Sequence, residues 1–212
     1  MILIALGSNL ASPQWGTTRE TLENAAVVIA ARGVHLKAKS RWYASKAVAG
    51  LADGQPIVAG LADGQSGSPD DNPDYVNGVM SVESDLEPDN LLTLLHEIES
   101  EFGRRRREKW AARTLDLDLL AYDDQVIGWP DNSDDADEGS GEEQGDSRSC
   151  ESLILPHPRM QQRAFVLYPL FDVAPGWRHP VFGRTVRQMI GDLTPAERAV
   201  MKDNAPDYVE RT

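Results

Sequence analysis

Residues 88–122, "PDNLLTLLHEIESEFGRRRREKWAARTLDLDLLAY", change their period partway through. In the first part, Leu91, Leu94, Leu95, Ile98 and Phe102 recur at helical spacing behind Pro88 and ahead of Gly103, the pattern of an amphipathic helix with its start and stop. In the last part, "LDLDLLAY" alternates acid and leucine. That spacing predicts a strand with Leu117 and Leu119 on one face and Asp116 and Asp118 together on the other. Between the two lies "GRRRREKW", a basic connection in an acidic chain.

Upstream, "YVNGVMSVES" at 75–84 reads as the strand that feeds this helix, and "VHLKAKSRWY" at 34–43 as the strand before it. The chain begins with "ILIAL", a short apolar run closed by Gly7, which suits a central strand buried on both faces. "TTRETLENAAVVIAARG" at 17–33 then gives a helix: Thr17 and Glu20 have capping-box spacing, Leu22, Ala25, Ala26 and Ile29 fall on one stripe, and Gly33 ends it. The order strand, helix, strand, strand, helix, strand predicts an α+β, ferredoxin-like split βαβ sandwich, an antiparallel sheet with helices packed on one face.

Length and composition fit one domain over residues 1–212: 41% of the residues are apolar and 26% charged, enough for a packed core. Two segments do not belong to that core. One lies near 46–72 and repeats "AGLADGQ" at 49–55 and 59–65, which reads as a locally duplicated loop insertion. The other, 131–151, carries nine acids and one arginine, −8 of the chain's −13, and predicts a disordered surface insertion. The acidic balance argues against a nucleic-acid partner. Cys150 is the only cysteine, so no intrachain disulfide forms. The "MILIAL" start lacks a basic lead-in, and no apolar run reaches the ~18 residues of a membrane span. A cytoplasmic protein is the expectation.

Asp116 and Asp118, ~7 Å apart along one strand, could share a pair of divalent cations. Magnesium suits all-oxygen ligands. An isolated acid pair would more often be a solvated strand face. Here, however, Arg104, Arg105, Arg106, Arg107, Lys109 and Arg113 precede it with Glu108 as the only acid among them. Paired acids beside a basic loop suit a nucleoside triphosphate, whose phosphates are bridged by metal and neutralised by Arg or Lys. No "GxxxxGK[ST]" motif and no "HRD" with "DFG" occurs, so the common phosphate-binding frameworks are absent.

"LGSNL", "NPDYVNGV", "IESEFGRRR", "RTLDLDLL" and "LPHPRMQQRAFVLYPL" occur in this order. In order and spacing they resemble the 6-hydroxymethyl-7,8-dihydropterin pyrophosphokinases of the folate pathway. The resemblance spans nearly the whole chain apart from the two insertions. It implies a monomer whose substrates are ATP and 6-hydroxymethyl-7,8-dihydropterin. The β,γ-pyrophosphoryl group would pass to the pterin hydroxymethyl oxygen with two Mg2+ ions bound, releasing AMP. By the same resemblance Asp116 and Asp118 are metal ligands, and Arg104, Arg106, Lys109 and Arg113 are catalytic cations on or beside a mobile lid. Tyr75 and Phe165 would sandwich the pterin and Asn77 read its edge. Gly7 would lie beside the pterin, and Ser45 would touch it through its backbone. Glu99, Trp110, His157 and Arg163 would serve the nucleotide. The chain departs from the family pattern at Ser45, where a Thr is usual, at Lys109, where an Arg is common, and at Pro158, where a Tyr often follows the His. A nucleotidyl or phosphoryl transferase on the same acid pair is the rival enzyme, and a ligand-binding regulatory module the rival without chemistry.

Overall fold

A computed structural model of the chain describes residues 1–46, 48–52, 55–58, 73–103, 113–129 and 153–201, and for 48–52 and 55–58 the backbone alone. The first strand, β1 (Ile2–Ser8), is central, and six of its seven residues are buried, as a continuous apolar run requires. Helix α1 (Thr18–Ala31) opens on the expected capping box: Thr17 Oγ1 accepts from the Glu20 amide, and the Glu20 carboxylate accepts from the Thr17 amide. Gly33, with φ +87°, lets the chain turn back into β2 (His35–Lys39).

The strand expected over 34–43 is interrupted. Ser40 hydrogen-bonds through its hydroxyl to the Val79 amide, and the chain resumes as β3 (Tyr43–Ser45) on the same neighbour. The Trp42 ring occupies the space where Gly78 has no side chain, and its Nε1 donates to Glu23 of α1. Part of the segment read as a loop forms a separate antiparallel hairpin, β4 (Val48–Ala52) and β5 (Gln55–Val58). Residues 49–52 and Gln55 of the first "AGLADGQ" copy lie in its two strands. The second copy, the basic loop at 104–110 and the acidic segment at 131–151 lie outside the described residues.

Strand β6 (Tyr75–Glu83), helix α2 (Pro88–Glu101) and strand β7 (Asp116–Tyr122) follow, as the pattern in 75–122 predicts. The main sheet runs β2–β6–β1–β7, with β3 also on β6, and every pairing is antiparallel. This is the α+β ferredoxin-like arrangement. The helices, however, are not confined to one face. Ile2, Ile4, Leu6, Met80, Val82, Leu117 and Leu119 pack against α1 and α2. On the other face Leu3, Val79, Leu120 and Tyr43 pack against α3 (Ala164–Val173), which is backed by α4 (Val186–Asp192) and followed by α5 (Pro195–Arg198). Periodicity hides α3 because it is apolar nearly all round and carries Pro169 in its interior. No described helix is long and apolar enough to cross a membrane.

Candidate active site

Among the described residues the α3 face of the sheet is covered only in part, and Tyr75, Asp116 and Asp118 are partly exposed on it. At the β1 C-terminal end the register sets Asp116, Gly7, Asn77 and Tyr43 side by side on four neighbouring strands. One step back along β1, Ala5 pairs with Asp118. Because side chains alternate along a strand, Asp116, Asp118, Asn77 and Tyr75 share this face, while Leu117 and Leu119 enter the opposite core. Gly7 makes the floor of the resulting cleft. A Cβ there would stand 3.5 Å from Asn77 Oδ1, 3.8 Å from Asp116 Cβ and 3.9 Å from the Tyr75 ring.

Each acid faces a cation. Arg113 Nη1 donates to Asp116 Oδ1 at 2.6 Å, and Arg163, at the start of α3, reaches Asp118 Oδ2 at 3.7 Å. Burial opposes the Arg113 charge, yet Asp116, with help from Tyr75 and Asp118, more than offsets it and holds the guanidinium above its ordinary pKa. Arg163 is shifted the other way: burial dominates, Arg159 and Arg113 add to it, and Asp118 and Asp116 oppose it. Arg163 also lies over the half-buried Phe165 ring at 5.7 Å.

His157 stands close enough to Asp118 and Arg163 to feel both charges. Burial pushes its imidazole below the ordinary value, although Asp118 pulls upward. Its Nδ1 accepts from the Arg159 amide at 3.2 Å, so the neutral ring carries its proton on Nε2. Glu99, only 1% exposed, lies under the sheet's other face, where Oε1 accepts from the Leu117 amide at 2.8 Å. That bond fixes the backbone of the very residue between the two aspartates. Asn77 Nδ2 donates to Ser45 Oγ at 2.9 Å, with both side chains buried.

Gly7, Asn77, Tyr75, Asp116, Asp118, Arg113, Arg163, Phe165, His157 and Ser45 are thus joined by direct contacts or by register, and Glu99 supports them from behind. Arg104, Arg106, Lys109 and Trp110 lie outside the described residues. Two contributors had no role assigned from the sequence. Asn9 is buried; its Oδ1 accepts from the Arg113 amide at 2.7 Å and its Nδ2 donates to Pro73 O at 3.3 Å, tying together the two segments that border the cleft. It sits inside "LGSNL", so the motif held the signal. Asp172 of α3 accepts from the Tyr43 hydroxyl at 2.8 Å and takes two bonds from the Arg41 guanidinium, both at 3.1 Å, clamping the edge strand to α3. No local spacing links Arg41 to a residue so distant in sequence.

Among the described residues no group of three or more His, Cys, Asp or Glu could cage a metal. Two strand-borne carboxylates on one face fit a magnesium ion that keeps waters and completes its shell with substrate phosphates.

A model of the 7,8-dihydro-6-hydroxymethylpterin-pyrophosphokinase family matches residues 3–175. The chain belongs to that family. A pyrophosphokinase from Synechocystis sp., named as acting on 2-amino-4-hydroxy-6-hydroxymethyldihydropteridine, is 34% identical over 189 residues, covering 89% of this chain and 73% of that one. The enzyme of the same name from Pseudomonas aeruginosa is 36% identical over 181 residues, covering 84% and 83%. The fold resembles a crystal structure of Plasmodium falciparum HPPK-DHPS with pterin and p-hydroxybenzoate, with a TM-score of 0.59 at 14% identity. That match covers 90% of this chain but only 42% of the longer one, and the likeness is one of fold. As a dihydropterin pyrophosphokinase the chain is a transferase of folate biosynthesis that acts on small molecules and uses ATP as co-substrate.

Proposed function

We propose that the cleft over Gly7 is where this pyrophosphokinase joins its two substrates, with the pterin on the Asn77 side and the triphosphate on the Asp116 side. The hydroxymethyl oxygen attacks the β-phosphorus of ATP, the bond from that phosphorus to the α,β-bridging oxygen breaks, AMP leaves, and the hydroxyl proton is lost to solvent. The observation that carries this reading is the register of three strands. It places an amide suited to a heterocycle edge and a carboxylate suited to a phosphate-bound cation on either side of a residue with no side chain.

Tyr75 and Phe165 supply flat apolar surfaces for the ring. Arg113 and Arg163, now balanced by the two acids, are positioned to turn toward phosphate oxygens when a cation takes their place on the carboxylates. Asp116 and Asp118 would hold two Mg2+ ions, whose contribution when bound is to neutralise charge on the triphosphate. No side chain is required as a general base if positioning and electrostatics supply the catalysis. Arg104, Arg106, Lys109 and Trp110 would serve the nucleotide by charge and ring contact, and Glu99 and His157 act through the walls of its site. The enzyme works as a monomer in the cytoplasm.

The test is a product assay with purified chain, ATP, magnesium and 6-hydroxymethyl-7,8-dihydropterin, separating AMP from ADP by ion exchange. AMP formed only with pterin present is the expected result. ADP in its place, or AMP formed equally without pterin, would overturn the assignment.

A further inference from the structure

Beyond residue 175, where the family match ends, the chain returns to the pterin side of the cleft. Thr194 and Glu197 form a capping box that starts α5, and Arg198 Nη2 donates to Ile190 O at 3.2 Å and Gly191 O at 2.8 Å, fastening α5 to the end of α4. Val200 is then buried in the apolar cluster that also holds Tyr43 and Leu167, and Met201 packs against the same cluster. Here the backbone adds a rung to the sheet. The Lys46 amide donates to Val200 O at 2.8 Å, and Ser45 and Met201 are antiparallel bridge partners.

Ser45 is therefore gripped on both edges, by Tyr75 of β6 and by Met201. It needs the support. Strand β3 has only three residues at the rim of the sheet, and so short an edge strand has few ladder bonds of its own. Its Ser45 hydroxyl, buried with the strand, takes the hydrogen bond from Asn77 Nδ2. That bond takes one of the two amide N–H groups and sets which way the amide faces, with Oδ1 3.5 Å from where a Cβ on Gly7 would stand.

We propose that residues 194–201 form a strap that positions the pterin-contacting side chain: by pinning Ser45 from the outer edge, the strap fixes the hydroxyl that orients the Asn77 amide. This rests on the reading of Asn77 as a pterin contact. Val200, Met201 and Ser45 are positioning residues in this scheme, acting through Asn77. Without the strap β3 frays, the Ser45 hydroxyl leaves its place, and the amide samples orientations that do not match the ring edge. One neutral hydrogen bond lost in this way corresponds to a roughly five- to tenfold weaker pterin interaction.

The experiment compares the full chain with one lacking residues 199–212, each with Asn77 intact and as Asn77→Ala, reading pterin KM, ATP KM and kcat. The deletion is expected to raise pterin KM roughly five- to tenfold, to leave ATP KM within about twofold, and to add nothing once Asn77 is alanine. An equal effect in both backgrounds, or both KM values rising together, overturns the strap and leaves the tail as general support. If Asn77→Ala by itself leaves pterin KM unchanged, the reading of the cleft falls and the strap with it. Ser45→Ala removes one buried oxygen from an otherwise whole chain, so it covers the case of a truncated chain that does not fold. It should reproduce the rise in pterin KM, with Ser45→Thr staying near the parent, and an unchanged KM in Ser45→Ala overturns the proposal.

Discussion

The two faces of one sheet have opposite tasks. On the α1 and α2 side, Ile4, Leu6, Met80 and Leu117 are sealed into a dry core. On the α3 side, among the described residues, the same strands are covered at one end and partly exposed at the other, where Asp116, Asp118 and Tyr75 border Gly7 beside the buried Asn77. Strand β7 supplies both faces from alternate residues, so the site's geometry is inherited from the core's packing. The Leu117 amide held by Glu99 is the joint between them. The difference teaches that rate and stability should separate residue by residue along this strand.

The largest expected effect tests that separation. Asp118→Asn keeps the side chain's shape but loses the charge, and kcat should fall roughly 10²–10³-fold, while the loss of its partly exposed pairing with Arg163 changes stability by less than ~1 kcal/mol. Leu117→Ala, one residue away, should do the reverse. Its side chain is 1% exposed, and removing it should cost about 2–5 kcal/mol by denaturant midpoint with kcat of the folded fraction nearly unchanged. An Asp118→Asn enzyme within tenfold of the parent would break the comparison.

The covered part of the α3 side carries a titratable group of its own. His179 is fully buried, stacked on Phe182 at 4.5 Å, with edge contacts to Trp129 and Trp177. Its Nδ1 accepts from the Val181 amide at 3.3 Å, and among the described residues Nε2 has no hydrogen-bond partner. Burial lowers its pKa from 6.5 to about 4. Below about pH 6.5 the unfolded chain takes up a proton that the folded chain refuses. The stability contribution is therefore complete above 6.5 and is lost as pH falls toward 4, by up to ~3 kcal/mol. Urea midpoints at pH 7 and pH 5 should diverge in the parent and converge in His179→Leu. A parent whose midpoint does not move would refute the assignment.

Much of this was legible in the sequence, for physical reasons that also mark its limits. Helices α1 and α2 and strands β1, β6 and β7 follow from local period and from caps such as Thr17 with Glu20. The α3 helix does not, because apolar residues on every side leave no stripe to read and Pro169 argues against a helix. The break at 40–42 depends on Trp42 finding space over Gly78, a contact across strands that no spacing within 34–43 reveals. In the site, the acid pair and its basic neighbours were visible as chemistry. Tyr75, Asn77 and Phe165 became visible through resemblance to a family. The tie from Ser45 to Asn77 and the one from Asp172 to Tyr43 needed the fold, because each joins residues brought together by sheet pairing or by α3.

Gly7 and Gly78 pose the comparison at its smallest scale. They lie on adjacent strands, Gly7 opposite Asn77 and Gly78 opposite Leu6, and their missing side chains point to opposite faces. Over Gly78 the space is taken: a Cβ would stand 2.4 Å from one ring carbon of Trp42 and 2.6 Å from another. Gly78→Ala must therefore displace the ring that donates to Glu23, and should cost about 1–3 kcal/mol without altering pterin KM. Over Gly7 no atom of the described residues would come closer than 3.5 Å to an added Cβ, so Gly7→Ala should fold with stability within ~0.5 kcal/mol of the parent. Its methyl group would instead stand where the substrate belongs, raising pterin KM roughly tenfold. The two variants thus exchange phenotypes between a melting curve and a Michaelis plot. If Gly7→Ala lowered stability and spared KM, the open end of the α3 face would be a packing defect in the sheet and the pterin would bind elsewhere.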